Sequence, residues 1–397
     1  MSQDINKNSN KKSNKNKSFI KGVIAGILIA IFINSVVINS FSIYKKFVLG
    51  ELEPLQKIEQ IQSIIDSVYV NDYDLNTMNE AMYKSIVYSL EDPYSYYMTP
   101  TEFTSFMEQT EGNYVGIGIM VNINLDEEVV INTVFDNSPA SGAELMSGDI
   151  ILSVSGVDAS LENYEEIISL IKGKEGTSVT IDFFRPDDNL NFSKDIIRKS
   201  IDVPTIYYEL LDDNIAYIKI TQFDRVTYSQ FVDAFNELQS AKGLIIDLRD
   251  NPGGLLDVVN NITDLLIPEG IITYIEDNSN KRDYHYSDAS YYNKPLAILV
   301  NENSASASEV LSGAVKDFEV GTLIGNTTYG KGVVQNVYTL PDNSAVKVTI
   351  AKYYTPNGIC IDGTGIDPDI KVLNDDDNYP DEDLQLQKAI EVINKSN

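Results

Sequence analysis

Three short segments of the chain hold residues whose types and spacing could do covalent chemistry. The first is Asn301-Glu-Asn-Ser304-Ala-Ser306-Ala-Ser308-Glu309-Val310, which follows the apolar run Leu296–Val300. Val310, Leu311, Ala314, Val315 and Phe318 then trace one face of a helix, so the serines fall at a helix N-terminus. Free N–H groups and the helix dipole stabilise negative charge there, which suits a nucleophile whose attack generates an oxyanion. Helix capping or close packing would use the same serines, and spacing alone does not choose among the three. The second segment, Arg249-Asp-Asn-Pro-Gly253-Gly254, follows the apolar run Gly243–Leu248. Its paired glycines let backbone N–H groups face a cleft, although an ordinary turn has the same composition.

The third segment is Gly325-Asn-Thr-Thr-Tyr-Gly330-Lys331-Gly332-Val-Val-Gln335. It nearly matches the phosphate-binding pattern G-x-x-x-x-G-K-[ST], but Gly332 takes the place of the hydroxyl that holds Mg²⁺. Val333 onward reads as a strand where that motif needs a helix, which argues against nucleotide binding. Lys331 suits a general base instead. A free lysine has a pKa near 10.4, and work near neutrality needs a fall of about three pH units, or roughly 4 kcal/mol against the charged form. Burial beside Val333 and Val334 is the available means.

Composition narrows the alternatives. The chain of 397 residues has one His, one Cys and no Trp. One cysteine excludes an intramolecular disulfide framework, one histidine excludes a multi-His metal centre, and no cofactor or metal is expected. His285 has no motif around it, so a Ser-Lys pair is the economical nucleophile and base. A hydrophobic content of 43% is enough for proper cores. Net charge is −29 and unevenly spread: through Lys46 there are eight Lys and one acid, whereas the remainder holds 22 basic and 58 acidic residues. A body this acidic repels phosphate backbones, so nucleic acid is not an expected partner.

The elements that must carry these residues follow. Residues 1–18 are Asn, Lys and Ser, a disordered basic tail on the cytoplasmic side. Residues 19–44 form the expected transmembrane anchor: the 23 uncharged positions from Gly22 to Tyr44 span about 34 Å as a helix, enough for a bilayer core of about 30 Å. Six Lys precede that run and two closely follow it, which keeps the N-terminus in the cytoplasm and exports the body. A cleaved signal peptide is the other reading of the run. Residues 45–111 are helical in period, ending in the Pro- and Tyr-rich corner Leu90–Phe103. Residues 112–201 change to strand period around one helical stretch, Tyr164–Lys172. Residues 202–374 alternate strands and helices as an α/β layer with a mostly parallel sheet. Residues 375–397 are an acidic linker and an amphipathic helix.

Residues 112–201, with GDIILSVSG and GKEGTSVTI, resemble a PDZ domain of the bacterial protease type. The resemblance implies that a peptide adds as a strand beside Gly118–Val121, under the 164–172 helix, with Gly116, Ile117, Gly118 and Ile119 as binding residues and their amides taking a terminal carboxylate. Taken together, LEDPYSYYMTP, the PDZ segment, DLRDNPGG, NENSASASE, GNTTYGKGVVQ and YYTPNG…IDGTGIDPD resemble the carboxyl-terminal processing peptidases, over nearly all of the exported chain. That resemblance implies a mixed α/β fold with a ClpP/crotonase-like protease core, and a membrane-anchored bacterial serine endopeptidase acting on exported proteins with accessible C-termini. It assigns the nucleophile to Ser306, the base to Lys331 and its orienting partner to Gln335. The oxyanion donors become the N–H of Ala307 and that of Gly253 or Gly254. It further implies that the PDZ domain gates activity, and that the early helices and the C-terminal segment can pair subunits as a homodimer. The rival is a membrane-tethered PDZ adaptor on an inactive scaffold.

Three details qualify the match. Lys331 and Gln335 would lie about 13 Å apart on a straight strand, so contact between them requires a bend. Asp317 lies about 16 Å along the helix from Ser306, too far to act on it, and receives a structural role. Ile359-Cys360-Ile361 replaces a basic residue common in the family, and Cys360 is expected to pack and not to react.

Overall fold

The computed structural model describes residues 53–374 and 382–396. The basic tail and the expected anchor, 1–18 and 19–44, lie outside the described residues, as do residues 375–381. Among the described residues no helix is long and apolar enough to cross a membrane. The chain divides into two compact units, one through Met78 and one from Asn79. The first holds α1 (Pro54–Val68), with Pro54 in the first turn, where a missing N–H costs nothing. It also holds the opening residues of α2 (Leu75–Tyr88).

In the second unit, the Pro- and Tyr-rich corner is a turn built on Asp92, whose carboxylate accepts the Tyr94 N–H and the Ser95 hydroxyl. It leads through β1 (Tyr96–Met98) into α3 (Pro100–Glu111). Thr99 and Glu102 cap α3 reciprocally, the Thr99 N–H donating to Glu102 Oε2 at 2.8 Å.

The region expected to be a PDZ domain opens with β2 (Asn113–Gly116), β3 (Ile119–Ile123), β4 (Val129–Val134) and the single turn α4 (Pro139–Gly142). It continues with β5 (Ile150–Val154), β6 (Val157–Asp158), α5 (Tyr164–Ile171), β7 (Ser178–Arg185), β8 (Leu190–Ile197) and β9 (Lys199–Asp202). The sheet runs β3-β4-β5-β7-β8, which makes β3 an edge strand. Alternating residues Ile131, Ile151, Ile181 and Phe183 bury against Ile167 of α5. A separate ribbon of β2 and β9 closes the domain, and the Val203 N–H donates to Gly112 O at 2.8 Å.

The core begins with β10 (Ile206–Leu211), β11 (Ile215–Ile220), α6 (Thr227–Glu237), β12 (Gly243–Asp247) and α7 (Leu256–Asp264). Next come β13 (Gly270–Asp277), β14 (Arg282–Ser287), β15 (Leu296–Val300) and α8 (Ala307–Asp317). The remainder is β16 (Thr322–Gly325), β17 (Val333–Thr339), β18 (Ala345–Tyr354), β19 (Ile370–Lys371) and α9 (Leu384–Lys395). The main sheet has the order β10-β11-β12-β15-β16-β19, parallel throughout except for β10. Every residue of β12 and β15 is buried, because helices cover both faces. Leu244, Ile246, Ile298 and Val300 meet α6, α7 and α8 on one face. On the other, Ile245, Ala297, Leu299 and Ile324 meet Ala389 and Ile393 of α9. The apolar face of the C-terminal helix is therefore spent within the chain. A second sheet, β1-β18-β13-β14 with β17 on the other side of β18, stands beside the first.

Candidate active site

The segments singled out from the sequence meet at one cleft of about 520 Å³. The glycine turn after β12, the N-terminus of α8 and the start of β17 form one side. Phe106, Met107 and Thr110 of α3 line it as well.

The three serines have different surroundings. Ser304 is fully buried, and its hydroxyl donates to Leu248 O at 2.8 Å. Ser308 is equally buried and donates to Asn251 O at 3.0 Å. Both brace the α8 terminus against the glycine turn. Ser306 is half-buried and lines the cleft, and among the described residues its hydroxyl, unlike those of Ser304 and Ser308, donates to no backbone carbonyl. Its backbone stands at φ 56° and ψ −112°, a region that costs a non-glycine residue about 1–3 kcal/mol. The surrounding bonds hold it there, among them the Ser306 N–H on Glu309 Oε2 at 2.8 Å.

Asn251 organises the glycine turn. Its Nδ2 donates to Ile220 O at 2.9 Å, its Oδ1 accepts the Gly253 N–H at 2.8 Å, and its carbonyl accepts the Ala305 N–H at 3.0 Å. The Gly253 N–H is thus already engaged, whereas those of Gly254 and Ala307 have no partner among the described residues. Gly253 has φ 104°, and a Cβ there would lie 2.7 Å from Ser306 Cβ; at Gly254 it would lie 2.3 Å from Phe223 O. Only glycine lets this backbone approach the serine so closely. Arg249 anchors the turn from behind through Asp247 and Asp383, the latter at the start of α9.

Lys331 is half-buried on the loop before β17, and no hydrogen bond joins its Nζ to Ser306 Oγ. The ammonium instead lies 4.6 Å from the centre of the Tyr94 ring, beside Asp92. Burial lowers its pKa, while the charges of Asp92 and Glu309 oppose that fall. Lys347 of β18 stands nearby and is itself shifted down, mainly by burial and secondarily by Lys331. Gln335 lines the same cleft but does not reach Lys331. The pairing of β17 with β18 slips between Val334 and Gln335, and the Gln335 amide donates to Val333 O and Thr349 Oγ1, both at 3.3 Å. The strand has the irregularity that contact with Lys331 requires, yet the side chain bonds along its own sheet.

The Asp92–Ser95 turn lies in the Pro- and Tyr-rich corner, where sequence reasoning gave Asp92 no role; an acidic residue two positions before a tyrosine was the available signal. Asp317 accepts the Asn357 N–H at 2.8 Å, a structural tie. His285 lies on β14 and is not part of the cleft lining. Cys360 is half-buried. Among the described residues no cluster could hold a metal.

In the expected PDZ region the outward edge of β3 is already occupied. Gly118 O accepts the Phe135 N–H, so the carbonyls of Ile119 and Val121 face away from β4. The Tyr114 hydroxyl donates to Ile119 O at 3.3 Å and lies beside the amides of Gly118 and Ile119; burial pushes its pKa up to about 12. The Tyr164 hydroxyl donates to Val121 O at 3.0 Å. Gly116 lies under the Tyr114 ring, and Ile117 is fully buried in the core with no exposed surface to offer a ligand. Lys172, following α5, lies over the Tyr114 ring and pairs with Glu108 of α3 at 2.6 Å.

Comparison with known proteins gives matches to three family models. Residues 214–372 match the model described as peptidase family S41, residues 37–101 the activating protease CtpB N-terminal domain, and residues 130–185 a PDZ domain. The carboxy-terminal processing protease CtpA of Bacillus subtilis is similar, with 35% identity over 319 residues, covering 79% of this chain and 68% of that protein. CtpB of the same organism is 31% identical over 345 residues, 85% of this chain and 72% of that protein. Among solved structures, a photosystem II D1 C-terminal processing protease aligns at TM-score 0.47 and 27% identity, covering 80% of this chain and 86% of that one.

Proposed function

The chain belongs to peptidase family S41, among the carboxy-terminal processing serine proteases, and from that premise we propose that Ser306 is its nucleophile and Lys331 its general base. The observation that carries the assignment is the contrast among the serines: Ser304 and Ser308 spend their hydroxyls on backbone carbonyls, and Ser306 offers its own to the cleft.

Neutral Lys331 takes the Ser306 hydroxyl proton as Oγ bonds to the scissile carbonyl carbon. The carbonyl π electrons move onto its oxygen, which the N–H groups of Ala307 and Gly254 receive. Collapse breaks the C–N bond, and Lys331 returns the proton to the leaving amine. Water then attacks the acyl ester while Lys331 takes its proton, and cleavage of the ester returns that proton to Ser306. Lys331 must leave the Tyr94 ring to do this, and Gln335 orients it once it has moved. Incubation of the full chain with β-casein, a flexible probe substrate, beside Ser306→Ala tests the reading; equal cleavage by both would end it.

The PDZ domain controls that movement. A peptide C-terminus adding to β3 needs the carbonyls of Ile119 and Val121 and the amides near Gly118, so it displaces the Tyr114 and Tyr164 hydroxyls. Tyr114 touches Lys172, and Lys172 holds α3, which lines the cleft. A partly exposed pair of this kind contributes at most about 1 kcal/mol, or roughly fivefold. Glu108→Gln should therefore raise basal casein cleavage up to about fivefold and weaken stimulation by added C-terminal peptides; unchanged basal and stimulated rates would sink the coupling.

Residues 22–44 anchor the protein in the bacterial membrane with the protease body outside, on the strength of the uncharged run and its flanking lysines. The full chain should stay with membranes through carbonate washing and lose its body, in intact cells without their wall, to external protease. Release by carbonate, or complete protection from external protease, would refute this placement.

A further inference from the structure

Glu309 is fully buried in the first turn of α8, and every polar neighbour of its carboxylate is a donor. Oε1 accepts the Thr328 hydroxyl at 2.6 Å and the Gly330 N–H at 2.7 Å. Oε2 accepts the Ser306 N–H at 2.8 Å and the Lys331 N–H at 2.9 Å. The buried Tyr353 hydroxyl lies 3.4 Å from Oε2 and 3.0 Å from Ser306 O, and it also donates to Lys331 O. With one proton, that hydroxyl serves these acceptors alternately.

We infer that Glu309 and Tyr353 are positioning residues for peptide-bond hydrolysis, tying the Ser306 turn to the Lys331 loop through one buried carboxylate and one phenol. This rests on the assignment of Ser306 and Lys331 above. The two segments come from different parts of the chain, one following β15 and the other following β16. Besides this tie, a backbone bond from Tyr329 N–H to Ser304 O at 3.0 Å joins them. That bond fixes neighbours of the reacting residues, whereas Glu309 and Tyr353 grip the backbone of Ser306 and Lys331 themselves. Thr328 extends the tie by accepting the Ile366 N–H at 2.7 Å, which gives the late IDGTGIDPD segment its place. Glutamine at 309 would turn an amide NH₂ toward donors that need an acceptor, and a shift of about 1 Å between reacting groups can cost on the order of 10²-fold in rate.

The charge has a second effect that a purely structural residue lacks. Lys331 faces Asp92 and Tyr94 from the 92–95 turn, Glu309 from α8 and Lys347 from β18. Glu309 holds the ammonium form, so its carboxylate raises the pKa of Lys331 and its removal lowers it. Activity that needs neutral Lys331 rises with pH through that pKa. In Glu309→Gln the acid limb of the kcat–pH profile must therefore move to lower pH.

The test measures kcat and KM for β-casein across pH with the full chain, Glu309→Gln and Tyr353→Phe, each checked by thermal melting. Glu309→Gln is expected to lower kcat about 10–100-fold at unchanged KM and to shift the acid limb down. Tyr353→Phe is expected to lower kcat several-fold and leave the limb in place. Wild-type kcat in folded Glu309→Gln overturns the inference, as does a fall in kcat with an unmoved limb. Should Glu309→Gln fail to fold, Tyr353→Phe decides, and wild-type kcat in it overturns the tie. Equal casein cleavage by the wild type and Ser306→Ala, or no cleavage by the wild type, overturns the underlying site assignment and the tie with it. Only the tie fails when Ser306→Ala is inactive and the Glu309 and Tyr353 variants match the wild type.

Discussion

Ser306→Ala and Lys331→Ala each lower casein cleavage by at least about 10⁴-fold, and the double variant is no slower than either single one. The magnitude follows from removing the nucleophile or the group that takes its proton, after which only binding and the oxyanion donors remain. The lack of additivity follows because serine without base and base without serine are equally idle. Stability should respond differently. The Ser306 hydroxyl donates to no backbone carbonyl and serves at most as a cap on the Glu309 N–H, so its alanine variant should melt within a few degrees of the wild type. Lys331→Ala removes a half-buried charge opposed mainly by desolvation, so it should melt no lower. Rates of casein cleavage and thermal melts of the three variants provide the check. Additive losses, or a Lys331→Ala rate within tenfold of wild type, would show that the pair does not act as one unit.

Asn251→Ala carries the second large effect. The side chain is fully buried and supplies a donor to Ile220 O and an acceptor to the Gly253 N–H. Truncation leaves both backbone groups without a partner, at about 1–3 kcal/mol each. A loss of about 3 kcal/mol in urea unfolding is expected. The loss of activity should be on the order of 10²-fold even where the variant is fully folded, because the same turn aims the Gly254 N–H. A folded variant with wild-type kcat would show that this turn does not serve the oxyanion.

Much of the fold was legible because its central strands are apolar runs with nowhere to lie but inside a covered sheet. Leu296–Val300 has the same bounds in sequence and structure, and the helix that carries the Val310 face starts at Ala307, three residues before it. The choice among the serines was not legible, since it turns on which hydroxyls find carbonyls of a turn 56 and 57 residues away in the chain. Glu309 was visible as the last residue of a Ser-x-x-Glu pattern, a known capping signature. Its reach to Gly330, Lys331 and Tyr353 depends on the tertiary fold. The contact expected between Lys331 and Gln335 depends likewise on a slipped register and on rotamers, neither of which leaves a trace in residue order.

The β2–β9 ribbon also bears on how the chain folds. The core's own sequence is interrupted between Gly112 and Val203, and joining those ends across an open loop of roughly 90 residues would cost about 4 kcal/mol in chain entropy. A folded PDZ domain delivers them already hydrogen-bonded, Val203 N–H on Gly112 O. To the assembling protease core, the long insertion then behaves as a turn of almost no length. Folding of this insertion ahead of the core would make the contact order of the core far lower than residue numbers suggest.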